Sequence, residues 1–97
     1  MKPVQVHPEA EAEADGAFEW YWERSEVAAL RFDIELRAAL SALRKTPRIC
    51  ASYLRGTRKI MLSTYPYFVV FRELPRKIQI VAVAHAKRKP GYWAKRL

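Results

Sequence analysis

Residues 59–84 read Lys59-Ile-Met-Leu-Ser-Thr-Tyr-Pro-Tyr-Phe-Val-Val-Phe-Arg-Glu-Leu-Pro-Arg-Lys-Ile-Gln-Ile-Val-Ala-Val-Ala84, and this stretch decides the fold. β-Branched and aromatic residues crowd into three runs, over 59–62, 67–74 and 77–84, the composition of strands in a sheet. The last run alternates, with Ile78 and Ile80 followed by Val81 and Val83. Thr64-Tyr65-Pro66 and Leu74-Pro75-Arg76 separate the runs, and proline has no N–H to give to a central ladder.

Upstream the period changes from two to three or four. Val4 and Val6 make a short opening strand over 2–6, closed by His7-Pro8. Pro8 suits the first turn of a helix, and Glu9, Glu11, Glu13 and Asp15 put negative charge near its positive end. Ala10, Ala14, Phe18 and Tyr21 or Trp22 form one apolar stripe, which Gly16 weakens without ending. After a break at Arg24-Ser25, Ser25 caps a second helix with Glu26 in its first turn, and Arg44-Lys45 suit its end before Pro47. This helix carries two apolar rows: Val27, Leu30, Ile34 and Ala38, and Phe32, Leu36, Leu40 (or Ala39) and Leu43. Two adjoining rows make a wide apolar face, which predicts a helix packed on both a neighbour and a sheet.

The fold expected is α+β, in the order β-α-α-β-β-β. An N-terminal strand and an antiparallel two-helix hairpin pack on a mostly antiparallel four-stranded sheet, and a short basic C-terminal tail follows. The 97 residues make a single domain over 1–97. Hydrophobic residues at 51% and charged residues at 29% are an ordinary globular mix. The apolar runs are far shorter than the roughly 20 residues that span a bilayer, and Met1-Lys2-Pro3-Val4-Gln5 has no secretory pattern. One cysteine, Cys50, forms no internal disulfide, so a cytoplasmic protein without membrane contact is expected.

Charge is segregated along the chain. Residues 1–43 carry a net −5 and residues 44–97 a net +13, with Glu73 the lone acid among the latter. Such a field answers nucleic acid, a nucleic-acid-handling machine or an acidic protein segment. Catalytic chemistry has few candidates. No HxxxH or CxxC pair and no glycine-rich phosphate loop exists, so neither metal nor cofactor is expected. Cys50 and His85 have the residue types of a nucleophile and its base, but a lone cysteine is ordinarily a packing residue. What stands out is His85 followed by Lys87, Arg88, Lys89, Tyr92 and Trp93, cations for phosphate and rings for stacking or packing. Packing is the favoured role for Trp93; for Tyr92 the two are even. His85 reads equally as a hydrogen-bonded strand end.

Tyr65-Pro-Tyr-Phe-Val-Val-Phe-Arg72, then Val83-Ala-His-Ala86 and Lys87-Arg-Lys-Pro-Gly-Tyr-Trp93, resemble the RelE/ParE toxins of bacterial type II toxin–antitoxin systems, as does Arg55-Gly56-Thr57-Arg58. The resemblance covers nearly the whole chain and lies closer to the ParE-like branch of this plasmid-stabilisation family. It implies growth arrest by one of two routes, poisoning of DNA gyrase or cleavage of messenger RNA on the ribosome. It also implies a cognate acidic antitoxin, held in a toxin–antitoxin hetero-oligomer. Matched to the ribonuclease branch, two expected cations are apolar here, Met61 and Phe68, and each loss removes transition-state stabilisation. Gyrase is therefore the expected target, and an enzyme is not expected. The alternatives are a metal-independent ribonuclease using His85, Arg88 and Tyr92, and a non-toxic basic nucleic-acid-binding module. The target-binding set expected is Arg58, Lys59, Arg72, His85, Arg88, Lys89 and Tyr92, forming one basic edge with nucleic acid as a further contact. Phe18, Tyr21 and Trp22 are expected to meet the antitoxin.

Overall fold

In the computed structural model, which describes residues 1–97, His7 precedes the first helix with extended backbone. Its Nδ1 accepts the Glu9 N–H at 3.1 Å, and Pro8 opens the helix. Strand β1 (Val4–Val6) thus passes into α1 (Pro8–Trp22) in a single residue. Ser25 Oγ accepts the Ala28 N–H at 3.2 Å and starts α2 (Glu26–Lys45), which packs antiparallel on α1. The remaining strands are β2 (Ala51–Ser52), β3 (Arg58–Met61), β4 (Tyr67–Glu73) and β5 (Ile78–His85). The order across the sheet is β1-β5-β4-β3-β2, with β1 parallel to β5 and every other pair antiparallel.

The sheet has five strands where the sequence predicts four. β2 is two residues long, too short to show any alternation, and exists only because Ala51 and Ser52 lie opposite Lys59 and Arg58. A second difference concerns α2. Its buried face is Ala29, Phe32, Leu36, Ala39 and Leu43, whereas Val27, Leu30 and Ile34 are 60%, 52% and 66% exposed. At 100° per residue these three lie on the far side of the helix from Phe32, so one helix cannot bury both rows against a single layer.

Between the helices and the sheet lies a core of Ala10, Ala17, Phe32, Leu36, Leu43, Val69, Phe71, Ile78, Ile80 and Val83. Strand β5 keeps this pattern only by means of a bulge. Val70 faces Ala82 while Phe71 faces Ile80, which leaves Val81 as the extra residue. Ile80 and Val83, three apart, therefore both reach the helices, and Val81 and Ala82 turn to the opposite face. That face is covered too. Residues 86–97 fold back across it, and Trp93 is 1% exposed against Val70, Val81 and Ala82. The expected tail is thus a lid on the second face of the sheet, and Trp93 has the packing role expected of it.

Two carboxylates fasten the margins. Glu73 accepts from Lys2 Nζ at 2.9 Å and Arg48 Nε at 3.3 Å. The Lys2 hydrogen bond, with Arg48 behind it, holds its carboxyl below the usual range. Glu35 accepts the hydroxyl and the N–H of Thr64, which lowers its carboxyl likewise and ties α2 to the β3–β4 turn. Both groups stabilise the fold above the ordinary carboxylate range and lose that contribution as pH falls below it.

Trp93→Ala should lower unfolding stability by about 3–5 kcal/mol, because a large ring leaves a cavity that the sheet cannot close. Urea melts followed by far-UV circular dichroism measure this; a loss under about 1 kcal/mol would show that the tail is not a structural lid.

Candidate functional site

The register of β4 against β5 decides which of the expected residues meet. Arg72 faces Gln79 near the start of β5, and His85 faces Tyr67 at its end. Six residues of strand separate them, about 20 Å. Face divides the set further. Ile60, Val69 and Phe71 point to the helices, so Arg58, two residues from Ile60 and opposite Phe71, lies on that side. There its Nη1 donates to the carbonyls of Cys50 at 2.9 Å and Arg48 at 3.3 Å. Lys59 and Arg72 lie on the tail side, with Phe68 and Val70. The single basic edge expected from the sequence does not form: Arg58, Arg72 and His85 are split between two faces and two ends.

What the tail face does assemble is a basic and aromatic surface. Lys59 Nζ sits 4.3 Å from the centre of the Tyr53 ring and 5.1 Å from that of Phe68. Tyr53 packs edge-on to Phe68 at 5.7 Å and lies 6.0 Å from Trp93. Met61 and Phe68 face each other across β3 and β4, so the two positions that lack cations form one apolar spot beside Lys59. Arg72 Nε donates to Gln79 Oε1 at 2.7 Å. Arg88 lies 3.8 Å over the Tyr92 ring, and Lys87, Arg88 and Lys89 are exposed in the turn after β5.

Tyr92 is less free than the sequence indicates. Its hydroxyl donates to Glu13 Oε2 at 2.6 Å, and Arg96 grips the same carboxylate through Nη1 at 2.8 Å and Nη2 at 3.0 Å. Burial, then the Glu13 carboxylate, pushes the Tyr92 phenol well above its ordinary range. Glu13 also accepts the Val83 N–H at 3.0 Å, and Arg96 donates to the Val81 carbonyl at 3.1 Å. Glu13, Arg96 and Tyr53 were not among the expected residues. Glu13 carried a legible signal: it borders the arc of Ala10, Ala14 and Ala17, where an acid that is covered needs a partner. Nothing in the sequence singles out Arg96.

On the helix side, Tyr21 turns inward, 5.0 Å from Tyr65 and 5.5 Å from Phe32, so it belongs to the core. Phe18 and Trp22 stack at 5.7 Å and remain partly exposed, and Trp20, not among the expected residues, is 52% exposed under the Arg24 guanidinium. Cys50 is three strands from His85, about 14 Å across the sheet, and burial pushes its thiol up. The two do not form a nucleophile–base pair.

A family model described as the ParE toxin of type II toxin–antitoxin system, parDE, matches residues 4–90. Tyr92, Trp93 and Arg96 lie beyond the matched residues. Among solved structures, the fold is similar to a chain of the chromosomal ParDE TA system from P. aeruginosa, with a TM-score of 0.76 at 20% identity. The match covers 88% of this chain and 96% of that one. No curated protein matches the chain.

Tyr92→Phe should cost about 1–2 kcal/mol near neutral pH, because it deletes a hydrogen bond to a charged but partly solvated acceptor. It should also change the alkaline limb. A raised phenol stabilises the fold fully below about pH 10 and loses that contribution as pH rises through its folded value. Urea melts at pH 8 and pH 11 should show a smaller alkaline loss in the variant; equal losses would mean that Tyr92 is not held by Glu13.

Proposed function

Because this chain belongs to the ParE toxin family of type II toxin–antitoxin systems, we propose that it arrests bacterial growth by inhibiting DNA gyrase. The observation that carries the choice of target is the apolar pair Met61 and Phe68, facing each other on the basic tail face. A ribonuclease acting there needs cations for the charge that develops on the scissile phosphate, and each missing one costs a few kcal/mol. His85, the natural general base, lines the helix side of the sheet with Tyr67 instead. Lys59, Arg88 and Lys89, with Arg72 behind them, then act as a docking surface in which charge orients the toxin on its target.

The partner that holds it inactive is an acidic antitoxin in a cytoplasmic hetero-oligomer. The surplus of +13 in residues 44–97 favours an acidic segment, and Phe18 and Trp22 offer apolar anchors near the turn of the hairpin. A segment that folds on contact gains speed from Coulomb steering.

Purified toxin should inhibit supercoiling by gyrase, and its expression without antitoxin should arrest growth. Messenger RNA cut on ribosomes, with gyrase unaffected, would reassign the target. Arg88→Ala should relieve the arrest and inhibition while costing at most about 1 kcal/mol, the worth of its exposed contact with Tyr92. A variant that melts normally and stays fully toxic would place the docking surface elsewhere.

A further inference from the structure

A cavity of about 500 Å³ opens where α1 crosses the ends of β4 and β5, on the opposite side of the sheet from the docking surface. Gly16, Trp20, Tyr21, Pro66, Tyr67 and His85 line it. Its walls are rings. Tyr67 and His85 meet edge-on at 5.0 Å, and Trp20 leaves half its surface free at the mouth. Its polar groups are few and uncommitted. His85 Nδ1 accepts the Lys87 N–H at 3.0 Å, which leaves Nε2–H as the ring's donor for a ligand. Tyr65 gives its hydroxyl to the Ala28 carbonyl, whereas those of Tyr21 and Tyr67 bond no other residue. Burial raises both phenols, so they remain neutral donors.

Gly16 points the same way. It sits mid-helix, where glycine is destabilising relative to alanine, and a Cβ built there meets nothing within 4 Å. Neither packing nor backbone geometry calls for glycine at this position; its effect is to leave the α1 wall of the cavity without a side chain. Cations flank the mouth. Arg24 lies 3.7 Å over the Trp20 ring, and the turn carrying Lys87 and Arg88 is pinned to His85 through both backbone N–H groups. A ring-walled cavity with a few edge donors and positive charge outside is matched by a flat heteroaromatic ring bearing an anion.

We propose that this cavity binds a nucleobase, stacked on Trp20 and Tyr67 and hydrogen-bonded by His85 Nε2–H, with the attached phosphate held by Lys87 and Arg24. The same chemistry arrives as a free nucleotide or as an unpaired nucleotide of a single strand. The site is separate from the docking surface above, and either can fail without the other.

The test titrates the full chain with AMP, with UMP and with a 5′-phosphorylated single-stranded hexadeoxyadenylate, read by calorimetry and tryptophan fluorescence. Binding of a mononucleotide assigns the site to free nucleotides; binding of the strand alone assigns it to an unpaired base in a chain. Gly16→Leu puts a side chain into the cavity from its α1 wall and should weaken binding about tenfold or more with no fall in melting temperature. His85→Ala removes the edge donor without adding volume and should weaken it independently. Lys87→Ala should weaken binding, and Arg76→Ala, which removes the same charge from the exposed β4–β5 turn, should not. The proposal is overturned if none of the three probes binds, or if binding survives both Gly16→Leu and His85→Ala. Equal loss in Arg76→Ala and Lys87→Ala would also overturn it, since a diffuse positive field then accounts for the binding.

Discussion

The carboxylate of Glu13, on α1, ties the edge of β5 and the C-terminal tail to one point. Strand β1 covers the edge of β5 only as far as Ile80, and the bulge at Val81 leaves the Val81 carbonyl and the Val83 N–H facing outward beyond it. Unpaired backbone at a sheet edge costs free energy if buried and invites foreign strands if exposed. Glu13 takes the N–H, Arg96 takes the carbonyl, and the two side chains pair with each other. The edge is closed by an ion pair in place of a strand. Removing one partner of a buried pair is costly, about 3–5 kcal/mol at full burial, because the other charge is stranded; here both side chains are largely covered.

That anchor also places the tail. With Arg96 and Tyr92 fastened to α1, Trp93 lies over Val70, Val81 and Ala82, and the sheet is buried on both faces in a chain of 97 residues. The second face would otherwise be an exposed apolar patch of the kind that aggregates. In covering it, the tail also sets the turn of Lys87, Arg88 and Lys89 at the rim of the surface built from Tyr53, Lys59 and Phe68.

The positive surplus of residues 44–97 overstates what a partner meets. Arg58 is spent on two carbonyls, Arg96 on Glu13, Arg72 on Gln79 and Arg48 on Glu73. These groups still contribute to the long-range field, which depends on charge and not on hydrogen bonding. Close contact is left to fewer residues, chiefly Lys59 and the turn after β5.

The sequence by itself determined the order of elements, since Pro8, Ser25, Pro47, Pro66 and Pro75 act on the backbone beside them and need no distant partner. It also determined the class of fold, through the change of period after Cys50, and the toxin family, through the motifs of residues 55–93. Tertiary structure decided what depends on register. The pairing of Arg72 with Gln79 broke up the expected basic edge, the bulge at Val81 set which face each end of β5 presents, and β2 exists only against β3. It also decided which row of α2 was buried, because two apolar rows on opposite sides of a helix cannot be ranked from periodicity alone. The partnership of Glu13 with Arg96, 83 residues away, is likewise a product of the packed structure. Local pattern gives each residue a face and a period; only the packed layers bring two such distant side chains together.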